Sequence, residues 1–153
     1  MRRTDREIQS WKTIDQIIAT AGVCRLGLSR NDHPYIVPVS FGYDGKAIYF
    51  HTAMEGMKID YMTANSRVCF EMEQDVSIVR NEQLACKWGQ LYSSVIGFGT
   101  VHEITDQPAR MAAMNQVMQH YSGRQWEFDP ETFAQVRLWC ISIDQLTGKQ
   151  RSI

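Results

Sequence analysis

Proline is scarce in this chain, with four residues, and the four cysteines form no clustered motif. Cys24, Cys69, Cys86 and Cys140 are widely spaced and form no Cys-x-x-Cys pair. That spacing suits neither a zinc knuckle nor a small disulfide scaffold, and it fits reduced thiols in a cytoplasmic protein. No run approaches the roughly 18 apolar residues of a membrane span. The N-terminal Met1-Arg2-Arg3-Thr4-Asp5 lacks the apolar core of a signal peptide. An excess of either charge is missing too, with 16 Lys+Arg against 17 Asp+Glu. From that balance neither a nucleic-acid partner nor a membrane surface is expected. There is no Walker or Rossmann glycine pattern and no Ser/His/Asp order. His33, His51, His102 and His120 show no His-x-x-x-His or Glu-x-x-His spacing, so no metal site is expected.

What is present is an ordinary globular composition, 44% hydrophobic and 22% charged over 153 residues. That is enough for one domain, 1–153, with a core of its own. Thr4 to Ala21 reads as a helix: Thr4 and Glu7 have the spacing of a capping box, Ile8, Trp11, Ile14 and Ile18 recur at helical spacing, and Gly22 stops it. The period then changes. Cys24, Leu26 and Leu28 alternate with polar or small residues, as in a strand. Pro34 to Tyr43 is a second strand, with Tyr35, Val37, Val39, Phe41 and Tyr43 on one face. Asp44-Gly45 makes a hairpin turn to a strand over Ala47 to His51. A short helix follows, about Gly56 to Ala64, then a strand from Arg67 to Glu73 with Val68, Phe70 and Met72 inward. Gln74 to Gly89 is less regular, with a short strand expected over Val76 to Val79. Tyr92 to Ile104 is a long strand. Gln107 to Tyr121 is a helix whose apolar stripe is Met111, Met114, Val117, Met118 and Tyr121. Asp129-Pro130 caps a short turn, Leu138 to Ile143 is the last strand, and Asp144 to Ile153 is a polar tail. The sum is a mainly β, six-stranded antiparallel barrel with an N-terminal helix and a long helix before the last strand, since closure removes exposed strand edges.

Three stretches carry chemical interest. In His51-Thr52-Ala53-Met54-Glu55-Gly56-Met57-Lys58 a strand ends, a loop turns, and a helix begins with a lysine in its first turn. Cations favour helix C-termini, so Lys58 is either a solvated surface residue or half of an anion site with the free N–H groups there. Thr52 offers a hydroxyl to the same anion, and His51 beside it is either structural or catalytic. Gly97 and Gly99, on one face of a strand, permit barrel curvature or the approach of a flat ring. Pro38, inside an apolar strand, marks an edge, a bulge or a ligand contact. Trp139 is a packing residue or a shield for a cofactor.

Taken in order, Pro34 to Phe41, Ile48 to Ala53 with Gly56-Met57-Lys58, Tyr92 to Gly99, and Ile141-Ser142-Ile143 through Thr147-Gly148-Lys149 resemble the FMN-binding split-barrel superfamily that includes pyridoxamine 5′-phosphate oxidase. Within it the chain is most similar to the small 5-nitroimidazole-resistance branch. The resemblance implies FMN held between two subunits of a homodimer. Val37, Pro38, Val39 and Ser40 would line the flavin ring, His51, Thr52 and Lys58 would hold the phosphate, and Ser94 and Val95 would approach from the partner. It further implies an FMN-dependent oxidoreductase that reduces nitroaromatic or related small molecules, with NAD(P)H as reductant. The arginine-rich C-terminal segment of pyridoxamine-phosphate oxidases is absent, so vitamin B6 oxidation is not part of the expectation. The rival reading on the same barrel is a flavin- or haem-binding protein that stores or senses without turnover, with His51 or His102 on the iron.

Overall fold

The period-2 pattern that begins at Cys24 builds one continuous antiparallel sheet in the computed structural model, which describes residues 3–152. Met1, Arg2 and the last residue of the expected tail, Ile153, lie outside the described residues. The strands are β1 (Glu7–Ile8), β2 (Cys24–Arg30), β3 (His33–Val39), β4 (Phe41–Tyr43), β5 (Ala47–Thr52), β6 (Arg67–Val79), β7 (Gly89–Ile104) and β8 (Arg137–Arg151). The helices are α1 (Trp11–Thr20), α2 (Met57–Ala64), α3 (Gln107–Ser122) and the single turn α4 (Pro130–Phe133). Hydrogen-bonded neighbours run β3-β2-β6-β7-β8-β5-β4, and β1 adds to β8. The two ends of that order, β3 and β4, are joined in the chain by Ser40 alone. A sheet whose two edges are consecutive in the chain must curl until they meet, which makes the split barrel. Eight strands replace the expected six because the long second strand breaks at Ser40 and because a two-residue strand precedes α1.

Inside the barrel, Leu26, Phe41, Ile48, Phe50, Phe70, Met72, Val95 and Ile141 are fully buried. Each such side chain contributes about 1.5–3 kcal/mol relative to exposure. Gly97 and Gly99 face this interior. A Cβ at Gly97 would run into the Phe70 ring, and one at Gly99 into the Ser142 carbonyl. The ring that approaches Gly97 is therefore the protein's own, and both glycines serve close packing.

Three sequence expectations are corrected. The first α-helix starts at Trp11, and Thr4–Arg6 form only a separate 3-10 turn ahead of it: Ser10 caps α1, accepting from Thr13 N at 3.3 Å. Glu7 and Ile8 instead pair with Lys149 and Gly148, which buries Ile8 against the sheet. The expected polar tail is strand. β8 continues to Arg151 and pairs with β7 from Ile104↔Leu138 to Tyr92↔Arg151, across one bulge at Phe98/Gly99. Its polar residues read as tail because that half of the strand has an exposed face. Finally, Val76 to Val79 continues β6 past a bulge between Gln74 and Ser77, where Asp75 takes φ 56°. With the start of β7, it forms an arm beyond the barrel.

Candidate functional site

β5 delivers His51 and Thr52 to one end of the barrel, opposite Leu138 and Arg137 of β8. The chain then turns through exposed Ala53, Met54 and Glu55 to Gly56, whose φ of 137° only glycine adopts readily. Gly56 starts α2, and no side chain among the described residues caps that helix. Ile59 N and Asp60 N both turn onto Gly56 O. The N–H groups ahead of them point out of the helix end without intrahelical partners. Asp60 in this turn complements the helix dipole, whereas Lys58 opposes it and forms no side-chain hydrogen bond or ion pair among the described residues.

His51 stands half-buried beside this turn. Its Nδ1 is buried and has no hydrogen-bond partner among the described residues. Burial first, and the nearby Lys58 charge second, push the imidazole below its ordinary value, so the ring is neutral near pH 7. A buried polar atom without a partner is costly in a finished fold. Together with an unpaired lysine and open N–H groups, it fits a ligand with an anionic oxygen and further acceptors or donors. A groove of about 420 Å³ lined by Arg30, His33, Met57 and Tyr61 among others adjoins the same turn.

The Thr52 hydroxyl does not take the expected role. Thr52 is buried, 2% exposed. Its Oγ1 donates to Ala53 O at 2.7 Å and accepts from Trp139 Nε1 at 3.1 Å. Trp139 is itself buried, so it packs and does not present a face to a ligand. Arg137 stacks over the Trp139 ring, its Cζ 4.9 Å from the centroid. The Arg137 hydrogen bond holds the Glu103 carboxyl below the usual range, against burial. Arg137 and Glu103 carry no local signal in the sequence, because their meeting depends on the β7–β8 register.

The remaining expected residues divide into two groups. Pro38 lies exposed on the end strand β3, where its missing N–H costs no ladder bond beyond β2. Val37 is half-buried, Val39 turns into the core, and Ser40 is exposed at the bend. Phe41 pairs with Phe50, so this bend runs alongside the His51 end of β5. Ser94 and Val95 are elsewhere. They pair with Lys149 and Gly148, near the opposite end of β7 from Ile104↔Leu138. At about 3.3 Å per residue, roughly 30 Å of strand separates them from His51. The Val95 side chain is fully in the core, and the Ser94 hydroxyl turns toward Lys149 O at 3.5 Å.

The sequence profile of the family described as pyridoxamine 5′-phosphate oxidase matches residues 10–150. Over 70 residues the chain is 31% identical to an uncharacterised protein of Rhizobium meliloti. That match covers 46% of each protein, so the chain spans less than half the length of this curated relative. Among solved structures, a candidate 5-nitroimidazole antibiotic resistance protein of Bacteroides thetaiotaomicron superimposes with a TM-score of 0.82 at 29% identity, covering 94% of this chain and 85% of that one. A protein of Mycobacterium smegmatis described as binding FAD and haem superimposes with a TM-score of 0.82 at 17% identity, covering 97% of this chain and 74% of that one. No helix among the described residues is long and apolar enough to cross a membrane.

Proposed function

The chain belongs to the pyridoxamine 5′-phosphate oxidase family, and we propose that it binds FMN and works as a flavin-dependent oxidoreductase on small nitroaromatic or related acceptors. The observation that carries the reading is the meeting of His51 Nδ1, Lys58 and the uncapped start of α2 at one end of the barrel. Lys58 and the first N–H groups of α2 hold the nucleotide phosphate by charge and by directed hydrogen bonds. Neutral His51 orients a polar group of the ligand through Nδ1. The exposed bend at Pro38 to Ser40 offers edge-strand backbone to the ring system. Bound flavin supplies the electron and hydride transfer that none of these side chains provides.

The protein works as a homodimer in this reading. On the outer surface Ile36, Gly27, Cys69 and Phe98 are successive cross-strand neighbours. Ile36, Ile96 and Phe98 are exposed there at 70%, 46% and 47%. Contiguous exposed apolar area of this kind suits a protein interface. A second copy also brings a Ser94 to the site that one chain keeps distant.

The neutral His51 ring with a free Nδ1 favours one rival, haem ligation without turnover, because neutral imidazole is the metal-binding form. The absorbance spectrum of the purified protein separates the two. Twin oxidised-flavin bands and saturable FMN uptake support the proposal, and a sharp Soret band supports the rival. Failure to take up FMN at all sinks the flavin reading. Where FMN binds, anaerobic reduction with NAD(P)H and oxidation by nitroaromatics or quinones tests turnover.

A further inference from the structure

The loop that leads through Gly56 to Lys58 at the start of α2 is gripped from behind, and we infer that Arg137, Trp139 and Glu103 are positioning residues that set the direction of the phosphate turn. The inference rests on the flavin reading for its ligand. It stands on six linked contacts across three neighbouring strands. From β7, Glu103 receives Arg137 Nε at 2.8 Å and a second bond from Nη2. From β8, the same guanidinium lies over Trp139 and turns Nη1 to Met54 O at 3.4 Å. Trp139 Nε1 donates to the Thr52 hydroxyl of β5, which donates to Ala53 O. Two consecutive loop carbonyls, Ala53 and Met54, are thus tied to the barrel by side chains the loop does not own.

The grip matters because the rest of the loop is loosely specified. Ala53 to Gly56 are exposed, and α2 has no side-chain cap. A loop free to reorient would have to be ordered at the moment of binding, which weakens affinity. Fixing two carbonyls fixes the peptide planes ahead of Gly56 and so aims the helix start. Only a planar guanidinium can fork onto a carboxylate, stack on indole and still offer a third N–H. Lysine keeps the charge and loses that geometry.

The test uses the full chain, with FMN and riboflavin titrated separately by flavin fluorescence and amide exchange followed without added flavin. Arg137→Met should lower FMN affinity about tenfold or more while riboflavin, which lacks the phosphate, changes by less than about twofold. Arg137→Lys should lose nearly as much as Arg137→Met. Trp139→Phe, which keeps a ring under the guanidinium, should lose about threefold. Amides of residues 52–58 should exchange faster in these variants, with the barrel strands unchanged. Equal losses for FMN and riboflavin, full rescue by Arg137→Lys, or unchanged exchange at 52–58 would overturn the inference. If the unsubstituted protein takes up neither flavin, the flavin reading fails, and exchange alone decides whether the grip is real. If Arg137→Met does not fold, Glu103→Gln replaces it in every arm.

Discussion

The two ends of the β7–β8 ribbon are built on opposite plans. At the Ile104–Leu138 end the polar groups are heavily cross-linked: Glu103, Arg137, Trp139 and Thr52 satisfy one another. The groups left over are polar, His51 Nδ1 and Lys58. At the other end the ribbon runs into the β6–β7 arm, where Val76, Ile78, Leu84 and Trp88 are exposed at 48%, 60%, 47% and 49%. The leftovers there are apolar. One end is rigid scaffolding around an unfilled hydrogen-bonding demand, and the other is a hairpin whose apolar surface has little of its own chain to pack on. Unfilled polar demand is met by a small directional ligand, and bare apolar area only by another surface.

The comparison breaks most readily at the middle of the ribbon. Gly97→Val puts branched carbon where the Phe70 ring lies, and overpacking costs about 1–3 kcal/mol or more. A lowered urea midpoint with broadened core NMR signals is expected; an unchanged midpoint would show that the interior yields without cost. At the site end, Lys58→Ala should weaken FMN binding by about 1.5–3 kcal/mol, the range for a charged hydrogen bond. Calorimetric titration with equal affinity for both proteins would make Lys58 ordinary surface.

The pH dependence is smaller and belongs to the same end. Because the folded His51 value lies below 6.5, the unfolded chain takes up the proton first. The stability linked to the neutral ring is complete above about pH 6.5 and is lost as pH falls through the folded value. His51→Gln should therefore flatten the fall in urea midpoint between about pH 7.5 and pH 5. Identical slopes would mean that the ring is not the titrating group. At the arm end, Trp88→Ser should change monomer stability by no more than about 0.5 kcal/mol. A larger loss in the monomer would show that the arm is packed, and would erase the contrast.

Much of the barrel could be read from the sequence because inward residues such as Leu26, Phe70 and Met72 alternate cleanly with polar ones. The ends of elements were harder. Thr4 and Glu7 imitate a capping box, yet Ile8 gains more by pairing at Gly148 than by extending α1. Leu146 and Gly148 carry too little pattern to mark strand, and only their pairing with Gly97 and Val95 makes them so. At the site, the His51–Lys58 stretch was legible because it is local in sequence. Its support from Glu103 and Arg137 was not, since it arises from register between strands over thirty residues apart. The fate of the Thr52 hydroxyl was hidden for the same reason: its indole partner is 87 residues away.

β8 is the common neighbour of β1, β5 and β7. During synthesis those three strands leave the ribosome well before it does. Until Arg137 to Arg151 emerges, β1, β5 and β7 lack their shared partner, and their open edges are free to pair wrongly with one another or with a neighbouring chain. Docking of this fifteen-residue strand therefore completes the pairing of all three, and the interval before it is when those strands are most exposed to aggregation.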